Sequence, residues 1–199
     1  GIHVASAPKI AVVQAGSGMH CHTRLLKDGV NQFSTVSGLT ETALKVIGGY
    51  LSHAASLTAF GNTVPTSFLR LVPHQEAPTA ICWGDRNRSV LVRVPLGWQN
   101  IDDSMFRDAN PAEPPIDELP NDAQTVELRS PDPAANPYLA FAVMLAAGLA
   151  GIEEGLELMP PADEAAPIGC TRYEHRARGI ETLPESLGEA VERFAGSKL

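Results

Sequence analysis

Residues 125–139 read TVELRSPDPAANPYL and begin with a short alternating segment. Val126 and Leu128 alternate with Glu127 and Arg129. A period of two is typical of a β-strand, so we expect one apolar face and one charged face. The charged face would present a carboxylate beside a guanidinium.

A long apolar helix is predicted to follow this strand. Asn136 and Pro137 are typical of a helix N-terminus, because asparagine caps free backbone N–H groups and proline needs no partner there. The apolar pattern predicts a buried helix from Pro137 to Ile152. The uncharged stretch 133–152 holds prolines and glycines, and its apolar part is shorter than the roughly 20 residues of a bilayer span. A membrane span is therefore not expected.

Periodicity also predicts structure upstream of this segment. Apolar residues at helical spacing over 39–60 predict one helix. Its Gly48-Gly49 pair indicates either a close packing contact or a kink. Alternating valines predict a strand over 88–94, and Lys27-Asp28-Gly29 is typical of a hairpin turn.

Four other segments carry weaker signals. The β-branched run 10–13 predicts an extended segment, and the proline-rich stretch 62–82 predicts a loop or flap. The stretch 96–123 is acidic and rich in proline, so we expect an exposed loop. Thr182 and Glu185 have the spacing of a capping box before a small amphipathic helix.

Composition narrows the classes of partner. The chain has 199 residues, with 15 Lys and Arg against 23 Asp and Glu, and a formal net charge of −8. This balance argues against nucleic acid or an anionic membrane as a partner. Cys21, Cys82 and Cys170 are odd in number and far apart, so no disulfide framework is expected and a reducing cytoplasm fits. The chain begins at Gly1 without a leader, as a processed chain or a cut fragment would.

Between residues 70 and 129 the chain contains arginine but no lysine. Arginine meets carboxylates and phosphates with a planar fork, so this choice favours an anionic ligand, although pairing with neighbouring acids would also explain it. The arginines between residues 70 and 129 are Arg70, Arg86, Arg88, Arg93, Arg107 and Arg129.

Two histidines follow a glycine turn in Gly16-Ser17-Gly18-Met19-His20-Cys21-His22. On a strand, this spacing places both imidazoles on one face. Imidazole and carboxylate both bind divalent ions, but one of each does not fill the octahedron of Mg²⁺ or Mn²⁺. A structural role for the pair therefore stays open, and a zinc site lacks a second ligand pair.

Several longer stretches together carry a family resemblance. They are GSGMHCH (16–22), GLTETA (38–43), RLVPHQEAP (70–78), RNRS (86–89) with Arg93, and ELRSPDPAANPYL (127–139). In this order they resemble the C-terminal part of the catalytic domain of glutamine synthetase. The resemblance implies an α+β fold of the glutamine synthetase and guanido kinase type, with an antiparallel β-sheet funnel and packed helices. It implies that residues 1–199 are the C-terminal portion, without the N-terminal domain and the front of the catalytic domain.

The resemblance also implies ligands for two divalent ions and for ATP. One catalytic Mg²⁺ or Mn²⁺ would bind His20, and the other would bind Glu127. The ATP phosphates would face His22, Arg88 and Arg93, with Arg88 also acting in catalysis. These charges fit phosphoryl transfer, where cations neutralise developing negative charge.

A second set of residues is implied for glutamate. Gly16, Arg70 and Arg129 would hold this substrate. Glu76 would lie on a flap that closes the glutamate site and would remove a proton as ammonia attacks. A flap can exclude water from a hydrolysable intermediate.

The implied activity is an ATP-dependent ligase. ATP would phosphorylate the γ-carboxylate of glutamate, and ammonia would displace phosphate from γ-glutamyl phosphate. The parent protein would be a homo-oligomer of stacked rings, and the fragment alone would be inactive. Ala15, Arg24 and Thr125 depart from the family pattern. They leave open a γ-glutamylamide ligase that uses an organic amine, or a non-catalytic scaffold.

Overall fold

The computed structural model describes residues 1–2, 5–35, 38–97, 108–112, 123–162 and 172–199. Most of the predicted acidic loop 96–123 lies outside the described residues, as does Cys170.

Groups of short strands and groups of helices follow one another along the described residues. The helices are α1 (Glu41–Ser52), α2 (Ala54–Gly61), α3 (Pro65–Arg70), α4 (Pro137–Glu153), α5 (Arg172–Ala177) and α6 (Leu187–Ala195). The strands are β1 (Cys21–Thr23), β2 (Leu26–Lys27), β3 (Val30–Asn31), β4 (Ser34–Thr35), β5 (Gly38–Leu39), β6 (Trp83–Asp85), β7 (Val92–Val94) and β8 (Val126–Leu128).

The largest sheet has the order β1-β8-β7-β6. β8 pairs antiparallel with both neighbours, so Cys21 and Val92 both lie opposite Leu128. β6 pairs parallel with β7. The apolar face of this sheet joins the core formed with α1, α2 and α4. The α+β class, with an antiparallel-rich sheet and packed helices, is therefore confirmed.

The predicted helix over 39–60 is two helices. α1 begins after Thr40, whose hydroxyl accepts a hydrogen bond from the backbone N–H of Ala43. His53 ends α1 with non-helical dihedral angles, φ −104° and ψ 18°, and α2 begins at the next residue. The break is therefore at His53, and α1 continues through both glycines of the pair.

The Gly48-Gly49 pair marks a helix crossing. A Cβ atom on Gly49 would overlap with the carbonyl oxygen of Ala147, and one on Gly151 would overlap with that of Lys45. Only glycine lets the backbones of α1 and α4 approach this closely. Of the two alternatives, the close packing contact is confirmed.

Helix α4 has the predicted start but not the predicted burial. Asn136 caps it by accepting hydrogen bonds from Tyr138 and Leu139, as expected. The buried face contains Met144 and Ala147, but the opposite face is apolar and exposed: Tyr138, Phe141, Leu145 and Leu149. The prediction of a buried helix is wrong for this face. No helix of the described residues is long and apolar enough to cross a membrane.

The loop predicted from the prolines of residues 62–82 is wrong over Pro65–Arg70, where the chain forms α3. Pro65 occupies the first turn of α3, where its missing N–H costs nothing. Phe68 and Leu71 are buried in the core. The extended segment predicted over 10–13 is also wrong, because these residues form an exposed turn in which Gln14 donates to the carbonyl of Ala11.

Three smaller predictions have mixed outcomes. The hairpin turn is confirmed, since Asp28 and Gly29 have positive φ angles of 52° and 81° between β2 and β3. The strand predicted over 88–94 is only β7. The cap of α6 is Ser186, one turn beyond the predicted Thr182, which instead forms an isolated bridge with Ala80.

Candidate active site

Glu127 lies at the centre of the charged face of the sheet. It is opposite His22 of β1 and opposite Arg93 of β7. His20 comes just before β1, two residues from His22, and Arg129 comes just after β8, two residues from Glu127. At this spacing their side chains share the same face. The antiparallel register therefore brings together five of the residues predicted for the site.

The carboxylate of Glu127 is surrounded by basic groups. Its Oε1 lies 3.0 Å from His20 Nδ1, 3.1 Å from Arg129 Nη1 and 3.9 Å from His22 Nε2. Its Oε2 lies 2.5 Å from Arg93 Nε. Glu127 is 1% exposed, so these groups replace water as the partners of its charge.

The charge state of Glu127 follows from this cluster. Burial alone raises the pKa of Glu127, but the hydrogen bond from His20 and the charges of Arg129 and Arg93 outweigh it and lower the pKa to about 2. Burial lowers the pKa of Arg129, and Glu127 opposes that shift. At neutral pH the site therefore holds an ionised carboxylate.

His20 and Glu127 supply two suitable donors for a divalent cation. Adjacent ligands of an octahedral Mg²⁺ are about 3 Å apart, because each lies about 2.1 Å from the ion. The 3.0 Å contact between His20 Nδ1 and Glu127 Oε1 is the hydrogen bond described above. An ion that took the place of the shared proton would find these two atoms close enough to bind it together. Among the described residues, no group of three or more His, Cys, Asp and Glu side chains could hold a metal. The donor set fits a metal site but does not complete it.

His22 lies at the exposed edge of the cluster. Its Nδ1 is 2.9 Å from the hydroxyl oxygen of Thr125. Thr125 is one of the predicted departures, and its hydroxyl fixes the ring. The role of His22 toward ATP stays a prediction.

Arg70 is buried beneath the glycine turn. Arg70 is 2% exposed, and its guanidinium donates to the carbonyl oxygens of Ser130 (2.7 Å) and Arg129 (3.1 Å). Burial lowers its pKa to about 10. A Cβ atom on Gly16 would lie 2.9 Å from Arg70 Cγ, and one on Gly18 would lie 2.5 Å from Nη2. The glycines are required by this packing, while glutamate binding by Gly16 and Arg70 stays a prediction.

Glu76 and Arg88 lie outside the direct contacts of Glu127. Glu76 is exposed in a turn over 73–76, and its role on a flap stays a prediction. Arg88 is also exposed, and its charge lowers the pKa of Arg129.

Lys9 is a buried lysine close to Arg70 and Gln75 that no sequence pattern predicted. Its ammonium donates to Gln75 Oε1 at 3.0 Å, next to Glu76. No motif predicted this contact, because it joins residues 66 positions apart.

Comparison with known proteins decides the family. The family model described as the glutamine synthetase catalytic domain matches residues 1–199. The chain belongs to the glutamine synthetase family. It is 41% identical over 199 residues to a glutamine synthetase of Pyrococcus furiosus, and 39% identical over 202 residues to one of Mycolicibacterium smegmatis. It is 44% identical over 173 residues to a glutamine synthetase of Vibrio cholerae.

The match covers only part of these glutamine synthetases. It spans 100% of this chain and 40% of the P. furiosus protein, and 100% of this chain and 41% of the M. smegmatis protein. The V. cholerae match spans 81% of this chain and 32% of that protein. The chain therefore spans no more than about two fifths of the length of these relatives. The site described above is part of a glutamine synthetase catalytic domain.

Proposed function

We propose that these residues belong to an ATP-dependent ligase that joins glutamate and ammonia to form glutamine through γ-glutamyl phosphate. The observation that carries the proposal is the buried Glu127 carboxylate enclosed by His20, His22, Arg93 and Arg129. Family membership supports it, because the relatives are named glutamine synthetase.

His20 and Glu127 would hold the same Mg²⁺ or Mn²⁺. This refines the sequence prediction, which assigned them to different ions, and it is supported by their 3.0 Å contact. Such an ion would neutralise phosphate charge during phosphoryl transfer. The remaining oxygen ligands, and the second ion, would depend on residues outside the described part of the chain.

Three basic side chains would face the phosphates of ATP. Arg93 is 21% exposed and so combines an ion pair to Glu127 with an accessible edge. His22 and the exposed Arg88 lie nearer the surface. Positive groups fixed before the reaction stabilise the charge that develops during transfer.

The two deeply buried arginines, Arg70 and Arg129, would orient neighbouring groups of the site. Arg129 is 3% exposed and donates to Glu127, so it orients that carboxylate. Arg70 supports the segment 129–131 through its carbonyl groups. In the proposed site both guanidinium groups would also attract the glutamate carboxylate. Gly16 would hold the substrate together with them.

Glu76 would accept the proton as ammonia attacks the acyl phosphate. Its exposed place in the turn 73–76 supports this role, because a carboxylate there can approach a bound substrate. Among the described residues no ion pair engages it. Closure of the turn would exclude water from the intermediate.

The proposed protein is a cytoplasmic homo-oligomer of stacked rings. Cys21 and Cys82 are buried free thiols, which supports a reducing compartment. The ring assembly follows from the family resemblance alone.

The test uses the full-length protein that contains this chain. Phosphate release from ATP is measured with Mg²⁺, glutamate and a panel of ammonia and small organic amines. We expect turnover with ammonia, and we expect Glu76→Ala to lower it by about 10²- to 10⁴-fold, the usual contribution of a positioned base. The matched control is Glu154→Ala, an exposed glutamate at the end of α4, which should retain full activity.

Three outcomes would change the proposal. Turnover only with another amine would make the protein a γ-glutamylamide ligase. No turnover from folded, assembled protein would favour a non-catalytic scaffold. Ligase activity from the 199-residue chain alone would contradict the expectation that it holds an incomplete site.

A further inference from the structure

Lys9 is a buried ammonium held by uncharged groups. It is 6% exposed and donates hydrogen bonds to the backbone oxygen of Gln14 and to Oε1 of Gln75, the latter at 3.0 Å. Among the described residues no carboxylate forms an ion pair with it. A charge removed from water normally requires a counter-ion or strong acceptors, so these two amide oxygens matter to the fold here.

Lys9 lies between two segments of the candidate active site. On one side, the carbonyl of Pro8 accepts a hydrogen bond from Ser17 N–H at 2.9 Å, within the glycine turn that leads to His20. On the other side, the ammonium reaches Gln75, the residue before Glu76. The Lys9 side chain thus links the segment 8–14, which is hydrogen-bonded to the glycine turn through Pro8, to the turn that carries Glu76.

The turn itself needs such a link. His74 and Glu76 have φ angles of 62° and 58°, in the left-handed region that residues other than glycine adopt at a cost. Gln75 lies between them and its side-chain amide is the group that Lys9 binds. A strained turn persists only when its surroundings hold it, and this hydrogen bond is a contact that does so.

We propose that Lys9 is a positioning residue that holds the turn 73–76 through Gln75 and thereby places Glu76 toward the site. The catalytic consequence rests on the proposed function of Glu76, whereas the hold on the turn does not. Lysine suits the task because its ammonium can donate to Gln14 and Gln75 at once. Burial, together with the charge of Arg70, lowers the pKa of Lys9.

The first measurement is amide hydrogen exchange of residues 74–77 in the full-length protein. We expect Lys9→Met to speed exchange there by about tenfold, in keeping with the loss of one charge-assisted hydrogen bond. Lys9→Arg should restore most of the protection, because its guanidinium also donates to amide oxygens. The matched control is Lys27→Met, an exposed lysine of β2, which should leave exchange unchanged.

A second variant removes the other end of the link. Gln75→Leu should give the same faster exchange, and the double variant Lys9→Met/Gln75→Leu should be no faster than either single one. Such non-additivity is the signature of one shared contact. Gln75 is in a surface turn, so this variant decides the question if Lys9→Met fails to fold.

Activity is measured on the same proteins. Lys9→Met should lower kcat with ammonia and leave the KM for ATP unchanged, which general loss of structure would not do. Unchanged exchange at 74–77 in both single variants would overturn the proposal, whatever the activity. If both single variants exchange faster than the wild type but the wild-type protein has no ligase activity, the link is kept and the proposed function is overturned instead.

Discussion

Two surfaces of this chain differ in which side chains they bury and which they expose. On the charged face of β8, a 1% exposed carboxylate has four basic groups within 4 Å. On the outer face of α4, Tyr138, Phe141 and Leu145 are large, apolar and 83%, 54% and 64% exposed. The polar groups are thus buried and paired, while the apolar groups face solvent.

The difference lies in how the two groups of side chains find partners within these 199 residues. Charged residues on adjacent strands meet through register alone, since His22 and Arg93 both lie opposite Glu127. A helix that is apolar all round needs cover on every side. Here α1 and α2 cover one side of α4, and the described residues leave an apolar groove between Phe141, Leu145, Leu149 and Leu25 on the other.

The largest expected effect is at Glu127. Glu127→Gln should lower the free energy of unfolding by about 3–5 kcal/mol, as expected when one partner of a buried ion cluster is removed. The amide cannot balance the charges of Arg93 and Arg129, which then repel each other. Urea unfolding of the 199-residue chain would measure it.

The control for Glu127 is an exposed glutamate with an arginine partner. Glu185 lies 3.2 Å from Arg176 Nη2 and is 52% exposed. Glu185→Gln should cost less than about 1 kcal/mol, as for other surface pairs. Equal losses in the free energy of unfolding at Glu127 and Glu185 would mean that burial does not strengthen the Glu127 cluster. The contrast between a buried and an exposed ion pair would then be wrong.

An intermediate effect is expected on the covered side of α4. Gly49→Ala places a methyl group against the carbonyl of Ala147, so α1 and α4 must separate. We expect a loss of about 1–3 kcal/mol in the free energy of unfolding, the usual cost of overpacking. Thermal unfolding would measure it.

The matched glycine lies in α6. A Cβ atom on Gly188 meets only Ser186 Oγ at 3.9 Å, so Gly188→Ala has room. It should stabilise the chain by about 0.5–1 kcal/mol, because alanine is the better helix former. Destabilisation of similar size at both glycines would contradict the close crossing of α1 and α4.

The sequence predicted which charged residues come together around Glu127, and it predicted the lengths and limits of the surrounding helices and strands less well. Alternation around Glu127 and the spacing of His20 and His22 are local patterns, and the strand geometry then places these side chains on one face. The cap at Asn136 was also predictable, because it depends on adjacent residues. The resemblance supplied the order in which these segments assemble.

The missed features depend on contacts between distant segments. The 39–60 helix pattern continues through His53, where only the structure shows a break. Prolines suggested a loop over 62–82, whereas one of them starts α3. Lys9 carries no motif, and its partner Gln75 becomes a neighbour only after folding.

The smallest expected effect, on the exposed face of α4, tests the comparison most directly. Leu145 and Met144 are adjacent, but Leu145 is 64% exposed and Met144 is 4% exposed. Glutamine has nearly the helix propensity of leucine and methionine, so replacing each by Gln changes mainly the polarity. Leu145→Gln should change the free energy of unfolding of the 199-residue chain by less than about 0.5 kcal/mol, as at other surface positions. Met144→Gln should cost at least about 2 kcal/mol, because the buried amide gains no partner. A comparable loss from Leu145→Gln would mean that the outer face is already covered in solution.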